Sequence, residues 1–286
     1  MGGAPANFAC HARALGAEAQ VVSRVGADGA GVRLLDELTR LGLEISGISI
    51  DPTHPTGSVG VTITHDGQPV FTIEPDVAWD HIISDILMEN LFKRADAVCF
   101  GTLAQRSATS AKSTRGLVAL TGPDALRVFA VNLRQNHYST ATVAASMELA
   151  NVLKVNEDEL PRIAGMLGIS GNVRECLNQL VSGFGLRLIA YTRGAAGSIL
   201  YDGTEWSEHP GLAVEVRVTI GAGDSFTAAV TIGLLNRWPI ARISKVASEV
   251  AAYVCSSTGA VPHLPESILE RFEIEAVTTR PIFRSL

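Results

Sequence analysis

Short apolar runs alternate along this chain with longer stretches whose apolar residues recur every three or four positions. Val98–Gly101, Val128–Asn132, Val152–Val155 and Leu188–Tyr191 read as strands buried on both faces, each followed by a helical or helix-starting stretch. Ala4–Leu15 predicts a helix with proline in its first turn, Ala19–Ser23 a short strand, and Gly31–Leu41 an amphipathic helix. Ile240–Ser257 predicts a further helix. Together these make an α/β chain with a mostly parallel central sheet covered by helices on both faces. Ligands of such sheets bind outside the carboxyl ends of the strands. Asn132, Asn156 and Thr192 all stand at such ends, so three separate segments converge on one crevice.

Two regions break this rhythm. In Gly57–Thr64, Val59, Val61 and Ile63 alternate with small or polar residues; a turn at His65-Asp66-Gly67 leads into Pro69–Glu74. That pattern predicts a β-hairpin, which by itself reads as an ordinary edge hairpin. The tail after Pro265 reads as a poorly anchored extension. There is no internal repeat and no low-complexity linker, so residues 1–286 are expected to form a single domain.

At 47% hydrophobic and 18% charged residues, the chain has ample material for a core. A net charge of −6 argues against a nucleic-acid or anionic-membrane partner. The four cysteines are widely separated and the seven histidines lack zinc-like spacing, which suits buried reduced thiols in a cytoplasmic protein. No signal peptide or transmembrane stretch is expected.

The candidate chemistry centres on Gly221-Ala222-Gly223-Asp224, followed at once by an apolar helical run. Two glycines allow a tight turn in which successive N–H groups point at one spot. The helix that follows adds free N–H groups and the positive end of its dipole. Asp224 lies inside this anion-attracting corner, where it would compete with a negative ligand. A base that takes a proton from a hydroxyl, while the corner holds charge on phosphoryl oxygens, suits that arrangement. Taken alone, the same residues also suit a glycine turn followed by an aspartate cap.

The motif resembles the second signature of the ribokinase/PfkB family of carbohydrate kinases, D-T-x-G-A-G-D. Other segments in the family's order extend the resemblance over nearly the whole chain: Gly2-Gly3-Ala4-Pro5-Ala6-Asn7, Gly26-Ala27-Asp28-Gly29-Ala30-Gly31, Asn132-Leu133-Arg134, Lys154 through Glu159, and Thr192 through Gly197. It implies a ribokinase-like fold with a small β-lid at about 57–74, ATP and Mg2+ as cofactors, and a sugar as acceptor. It also leaves room for a homodimer through the lid.

Residue by residue, the resemblance makes Asp224 the catalytic base and Gly221, Ala222 and Gly223 the anion hole. Asn156 and Glu159 match its N-x-x-E motif of the magnesium and phosphate region, although an acidic helix start with an Asn cap reads equally well. Thr192, Gly194 and Gly197 fall on the nucleotide side, where spacing alone suggests a plain β-turn. Gly259 resembles an adenine-side turn, or is a helix C-cap. Gly2, Gly3 and Asn7 match the sugar contact G-G-x-x-x-N. Asp28 could bind a hydroxyl pair or cap the helix after it. Arg134 is placed like the arginine of D-x-N-x-R. Lys154 receives no catalytic role.

Three departures stand out. Ala130 and Val218 replace aspartates of the family motifs, and the strand that precedes G-G-x-x-x-N in relatives has no counterpart, so the first strand is expected to be missing. An apolar Val218 cannot ligate potassium, so little potassium activation is expected. The gap would be covered by neighbouring strands closing up, by a partner subunit, or by solvent. Val77-Ala78-Trp79-Asp80 and Val131–Tyr138 look most like fructokinases, which suggests fructose or a similar neutral sugar. Ribose, a nucleoside and 2-keto-3-deoxygluconate are the alternatives, and Glu74 and Asp76 would repel the acidic sugar among them. An alternative of another class is a catalytically weak sugar or nucleotide binder. No G-x-G-x-x-G joins a first strand to its helix, which counts against a dehydrogenase.

Overall fold

The computed structural model describes residues 2–63, 69–273 and 282–285. Helix α1 (Ala4–Ala14) starts at Gly3, whose φ of 109° favours glycine, and carries proline in its first turn. Strand β1 (Glu18–Val21) follows, then β2 (Ser23–Gly26). Helix α2 (Gly29–Arg40) begins two residues earlier than its apolar pattern implies, because Asp28 caps it by accepting from Gly31 N. Strand β3 (Ile48–Asp51) lies parallel to β2, and β4 (Val59–Ile63) pairs antiparallel with β5 (Pro69–Ile73) as the expected hairpin. The turn expected at His65-Asp66-Gly67 lies outside the described residues.

The body continues through α3 (Ile86–Lys93), β6 (Ala97–Phe100), α4 (Ala108–Ala119), β7 (Leu126–Ala130), α5 (Thr140–Leu149) and β8 (Val152–Asn156). Then come α6 (Leu160–Met166), α7 (Val173–Phe184), β9 (Leu188–Thr192), β10 (Ser198–Tyr201), β11 (Trp206–His209), α8 (Ala222–Leu235), α9 (Ile240–Cys255), α10 (Glu266–Glu273) and β12 (Ile282–Ser285). The main sheet has the order β1-β12-β6-β7-β8-β9-β10-β11, parallel from β1 to β9 and antiparallel over its last two strands.

Period-two alternation splits each central strand between two cores. Ala97, Cys99, Val128, Ala130, Val152, Leu188 and Ala190 face α1, α8 and α9. Val98, Phe100, Phe129, Leu153, Val155, Ile189 and Tyr191 face α3 to α7. Most residues on the first side are small, so α8 can lie close against the sheet. Its amino end therefore comes near the strand ends that carry the site.

Two expectations are corrected here. The single strand expected over Ala19–Ser23 is two strands, because β1 pairs in the main sheet while β2 pairs with β3. Val22, between them, is fully buried in the second core. The tail after Pro265 is not a loose extension. Ile268 and Phe272 of α10 are buried in the first core, and Phe272 packs 5.2 Å from Trp238 between ring centroids. Strand β12 lies between β1 and β6, parallel to both. The slot between β1 and β6 is thus occupied by the chain's own C-terminal segment. An interior slot offers two ladders of unpaired N–H and C=O groups, and one further strand satisfies both.

The hairpin is fastened to the body by a buried ion pair. Arg106 donates through Nε and Nη2 to the two oxygens of Asp80, each at 2.6 Å, and its guanidinium lies 4.0 Å from the Trp79 ring centroid. Nη2 also donates to Glu74 O, just beyond β5. Removing one partner of such a pair leaves the other charge buried alone, at a cost of about 3–5 kcal/mol.

The sheet pairing makes a prediction. Deleting residues 274–286 removes β12 and reopens both ladders. The melting temperature should fall by at least about 5 °C. An unchanged thermal melt would mean that β12 contributes nothing to the sheet's stability.

Candidate active site

The strand ends are held in register by the sheet. Ala130 lies opposite Lys154, and Asn156 opposite Thr192. Past β7 the chain turns through Asn132 and Gln135, which have φ of 47° and 48°. Left-handed backbone is uncommon for residues with a side chain, and it clusters at functional sites. This path carries the exposed Arg134 toward the amino end of α8, where its charge acts on both Asp224 and Lys154.

Asp224 sits in the first turn of α8. Asn7 Nδ2 of α1 donates to its Oδ2 at 2.9 Å, so two residues that are distant in sequence meet in the crevice. Burial pushes the Asp224 carboxyl above its ordinary range. The Asn7 hydrogen bond and the Lys154 and Arg134 charges oppose this shift without cancelling it. Gly221, the cap residue of α8, has φ of 87°, and a Cβ there would come within 2.2 Å of Ala260 O. Only glycine fits, as the tight-turn reading requires. The first intrahelical bond runs from Ser225 N to Gly221 O. The N–H groups of Gly223 and Asp224 therefore lie outside the ladder and face the crevice.

Lys154 is the residue the sequence reading passed over. It is 6% exposed, and its Nζ lies 3.5 Å from where a Cβ on Gly223 would be. Burial lowers its pKa, while the Glu159 and Asp224 carboxylates oppose that shift. The signal was present in Val152-Leu153-Lys154-Val155: a cation inside an apolar strand needs buried counter-charges.

Glu159 is 4% exposed and accepts from Leu133 N at 3.1 Å and Asn156 N at 2.9 Å. Asn156 Oδ1 in turn accepts from Asp158 N and Glu159 N. This closed loop of bonds clasps the ends of β7 and β8 together. It uses one lone pair on each Glu159 oxygen and leaves the others open to a metal ion or to the water bound to one.

Other candidates fall in different surroundings. Asp28 accepts from Thr56 N, Gly31 N and Thr56 Oγ1, and these bonds lower its pKa to about 2. Its carboxylate is committed to capping α2 and holding the strand that enters the hairpin. Gly197 has φ of 84°, and a Cβ there would strike His209 O at 1.9 Å, so it serves passage of a neighbouring segment rather than approach of a ligand. Gly2, Gly3 and Gly259 have nothing within 4 Å of an added Cβ. Gly259 is not the cap of α9, whose C-cap is Ser256; it borders an open cleft of about 980 Å³ that also reaches Asn7. Gly194, with φ of 52°, follows the end of β9 near Glu157.

The profile of the pfkB family carbohydrate kinases matches residues 1–267. The sugar kinase PH1459 of Pyrococcus horikoshii is 28% identical over 91% of this chain and 82% of its own length. Its crystal structure in complex with ATP superposes with a TM-score of 0.78, covering 95% of this chain and 90% of that one. Fructokinase from Vibrio cholerae, in a form with fructose, ADP and calcium, gives the same TM-score at 26% identity, again covering 95% and 90%. The fructokinase of Escherichia coli is 25% identical over 92% of this chain and 88% of its own. No helix among the described residues is long and apolar enough to cross a membrane.

The geometry around Ala260 predicts a pH effect. His11 is fully buried, with Nε2 3.0 Å from Ala260 O and Nδ1 unpartnered. Burial lowers its pKa from 6.5, so the folded protein keeps it neutral while the unfolded chain takes up a proton. Stability is therefore full above about pH 6.5 and falls as pH drops through that value toward the lowered folded pKa. His11→Gln should flatten this part of the curve of denaturant midpoint against pH. Equal slopes in the two proteins would remove His11 as the source.

Proposed function

The chain belongs to the pfkB family of carbohydrate kinases, and from that premise we propose that it transfers the γ-phosphoryl group of ATP to a hydroxyl of fructose or a similar neutral sugar. The carrying observation is the 2.9 Å bond from Asn7 to Asp224 at the amino end of α8. It joins the residue proposed to touch the sugar to the residue proposed to take its proton. Asp224 accepts the hydroxyl proton, and its raised pKa makes it a stronger base than an ordinary carboxylate. The sugar oxygen then bonds to the phosphorus as the bond from phosphorus to the ADP oxygen breaks. Gly223 and Asp224 N–H, the α8 dipole and the Lys154 cation stabilise the charge on the equatorial oxygens. Arg134 stands over the same corner and orients the acceptor or the transferring group.

Mg2+ held through waters by Asn156 and Glu159 would neutralise charge on the nucleotide phosphates. Thr192 and Gly194, beside Asn156 at the strand ends, are proposed to contact the nucleotide. Gly2 and Gly3 offer open backbone on the acceptor side. The choice of a neutral sugar rests on the similarity to the fructokinases and on Glu74 and Asp76 beside the hairpin, which disfavour an acidic acceptor. The hairpin pairs only with itself among the described strands. It is the surface through which a second copy would dock.

A coupled ATPase assay over fructose, ribose, a nucleoside and 2-keto-3-deoxygluconate tests the acceptor. Fructose should give the highest kcat/KM. Turnover with none of them, alongside normal ATP binding, would favour a weak binder instead. Asp224→Asn should lower kcat by roughly a hundredfold or more while ATP affinity stays nearly constant; near-normal turnover would remove Asp224 from the mechanism. Glu159→Gln should raise the Mg2+ concentration needed for half-maximal rate. An unchanged magnesium titration would leave Glu159 only its clasp between β7 and β8.

A further inference from the structure

We propose that His54, Asp76 and His81 form a binding site for one zinc-class divalent ion that ties both stalks of the hairpin to the body. His54 lies on the stalk between β3 and β4, while Asp76 and His81 lie on the stalk that leaves β5. Far apart in sequence spacing, they were invisible as a ligand set before folding. His81 Nε2 lies 2.8 Å and His54 Nε2 3.9 Å from the same Asp76 Oδ1, and all three donor atoms fall within 4.8 Å of one another. A tetrahedral ion with bonds of about 2.0–2.2 Å needs ligand atoms roughly 3.3–3.5 Å apart, a spacing these three atoms already approach.

The ligand at position 54 is oriented from behind. His54 Nδ1 lies 3.0 Å from Oδ2 of the buried Asp51, which also pairs with Arg24 at 3.0 Å. A carboxylate partner on Nδ1 keeps the proton there and leaves the Nε2 lone pair free. Asp51 is itself held by Thr53 N and Thr53 Oγ1, so its position does not depend on the ion. Asp76 has φ of 53°, a turn that brings its carboxylate back toward both rings.

The two rings are stacked, with centroids 3.6 Å apart and planes 13° from parallel. Binding therefore requires the His81 ring to turn about its Cβ–Cγ bond so that its lone pair meets that of His54. His81 and Asp76 border a cleft of about 390 Å³, which gives the ion a path in and leaves a fourth position for water. Two imidazoles and one carboxylate suit zinc, cobalt or nickel; magnesium and calcium prefer sets of oxygens. The ion would join residues on both sides of the hairpin and restrict its movement relative to the body.

The experiment measures binding directly and does not depend on the kinase reading. Metal-free protein is titrated with Zn2+ against a chromophoric chelator, and thermal melts are recorded with and without one equivalent of Zn2+. Wild type should bind one equivalent and melt higher with it. His54→Gln, His81→Gln and Asp76→Asn should each weaken binding more than tenfold and abolish the zinc-dependent rise, while melting like wild type without metal. Asp51→Asn should weaken binding without removing a ligand. His137→Gln, which removes a histidine lining the same cleft, should bind as wild type does. Absence of stoichiometric binding in wild type overturns the proposal. So does undiminished binding in the exposed Asp76→Asn variant together with either histidine variant, or an equal loss in His137→Gln.

Discussion

Lys154, buried, and Asp224, half-buried, are opposite charges at the carboxyl ends of a parallel sheet, and the placement of much around them follows from that. Neither could be buried alone at acceptable cost. Lys154 needs Glu159 and Asp224 nearby, and Asp224 needs Asn7 and the amino end of a helix. Meeting these needs brings α1, α8 and the ends of β7 and β8 to one point. Small residues on the facing side of the sheet let α8 come close enough, and Gly221 lets the 260 loop pass over its start. The contacts that satisfy these charges are the ones the proposed phosphoryl transfer would use.

The supporting bonds are mainly from backbone donors. Glu159 is satisfied by Leu133 N and Asn156 N, and Asp28 by Gly31 N and Thr56 N. Such acceptors fix the path of loops whose side chains must point elsewhere. Asp28, which reads equally well as a ligand contact or as a cap, caps α2 in the folded chain. Its carboxylate accepts three hydrogen bonds, and at Gly197 the space a side chain would need is already filled.

Much of the architecture was legible in the sequence. Apolar runs gave the buried strands, and the two faces of each follow from simple alternation. The sequence order of its motifs identified the family. What was not legible depended on pairing across long separations. A strand such as β12 carries no mark of the slot it fills, and the split between β1 and β2 arises from their different partners. Lys154 was passed over because its motif neighbours drew attention, although a lysine within Val-Leu-Lys-Val is itself a strong signal. The His54, Asp76 and His81 cluster depends on the approach of two stalks, which no local pattern records.

The position of β12 also bears on how the protein is made. Its pairing with β1 joins segments separated by about 260 residues, a contact of very high order. During synthesis β1 and β6 emerge long before the strand that will lie between them, and their facing edges wait unpaired while the rest of the sheet can already form. Such edges are templates for pairing with other chains. Until β12 is made, the sheet is open one strand in from its β1 edge.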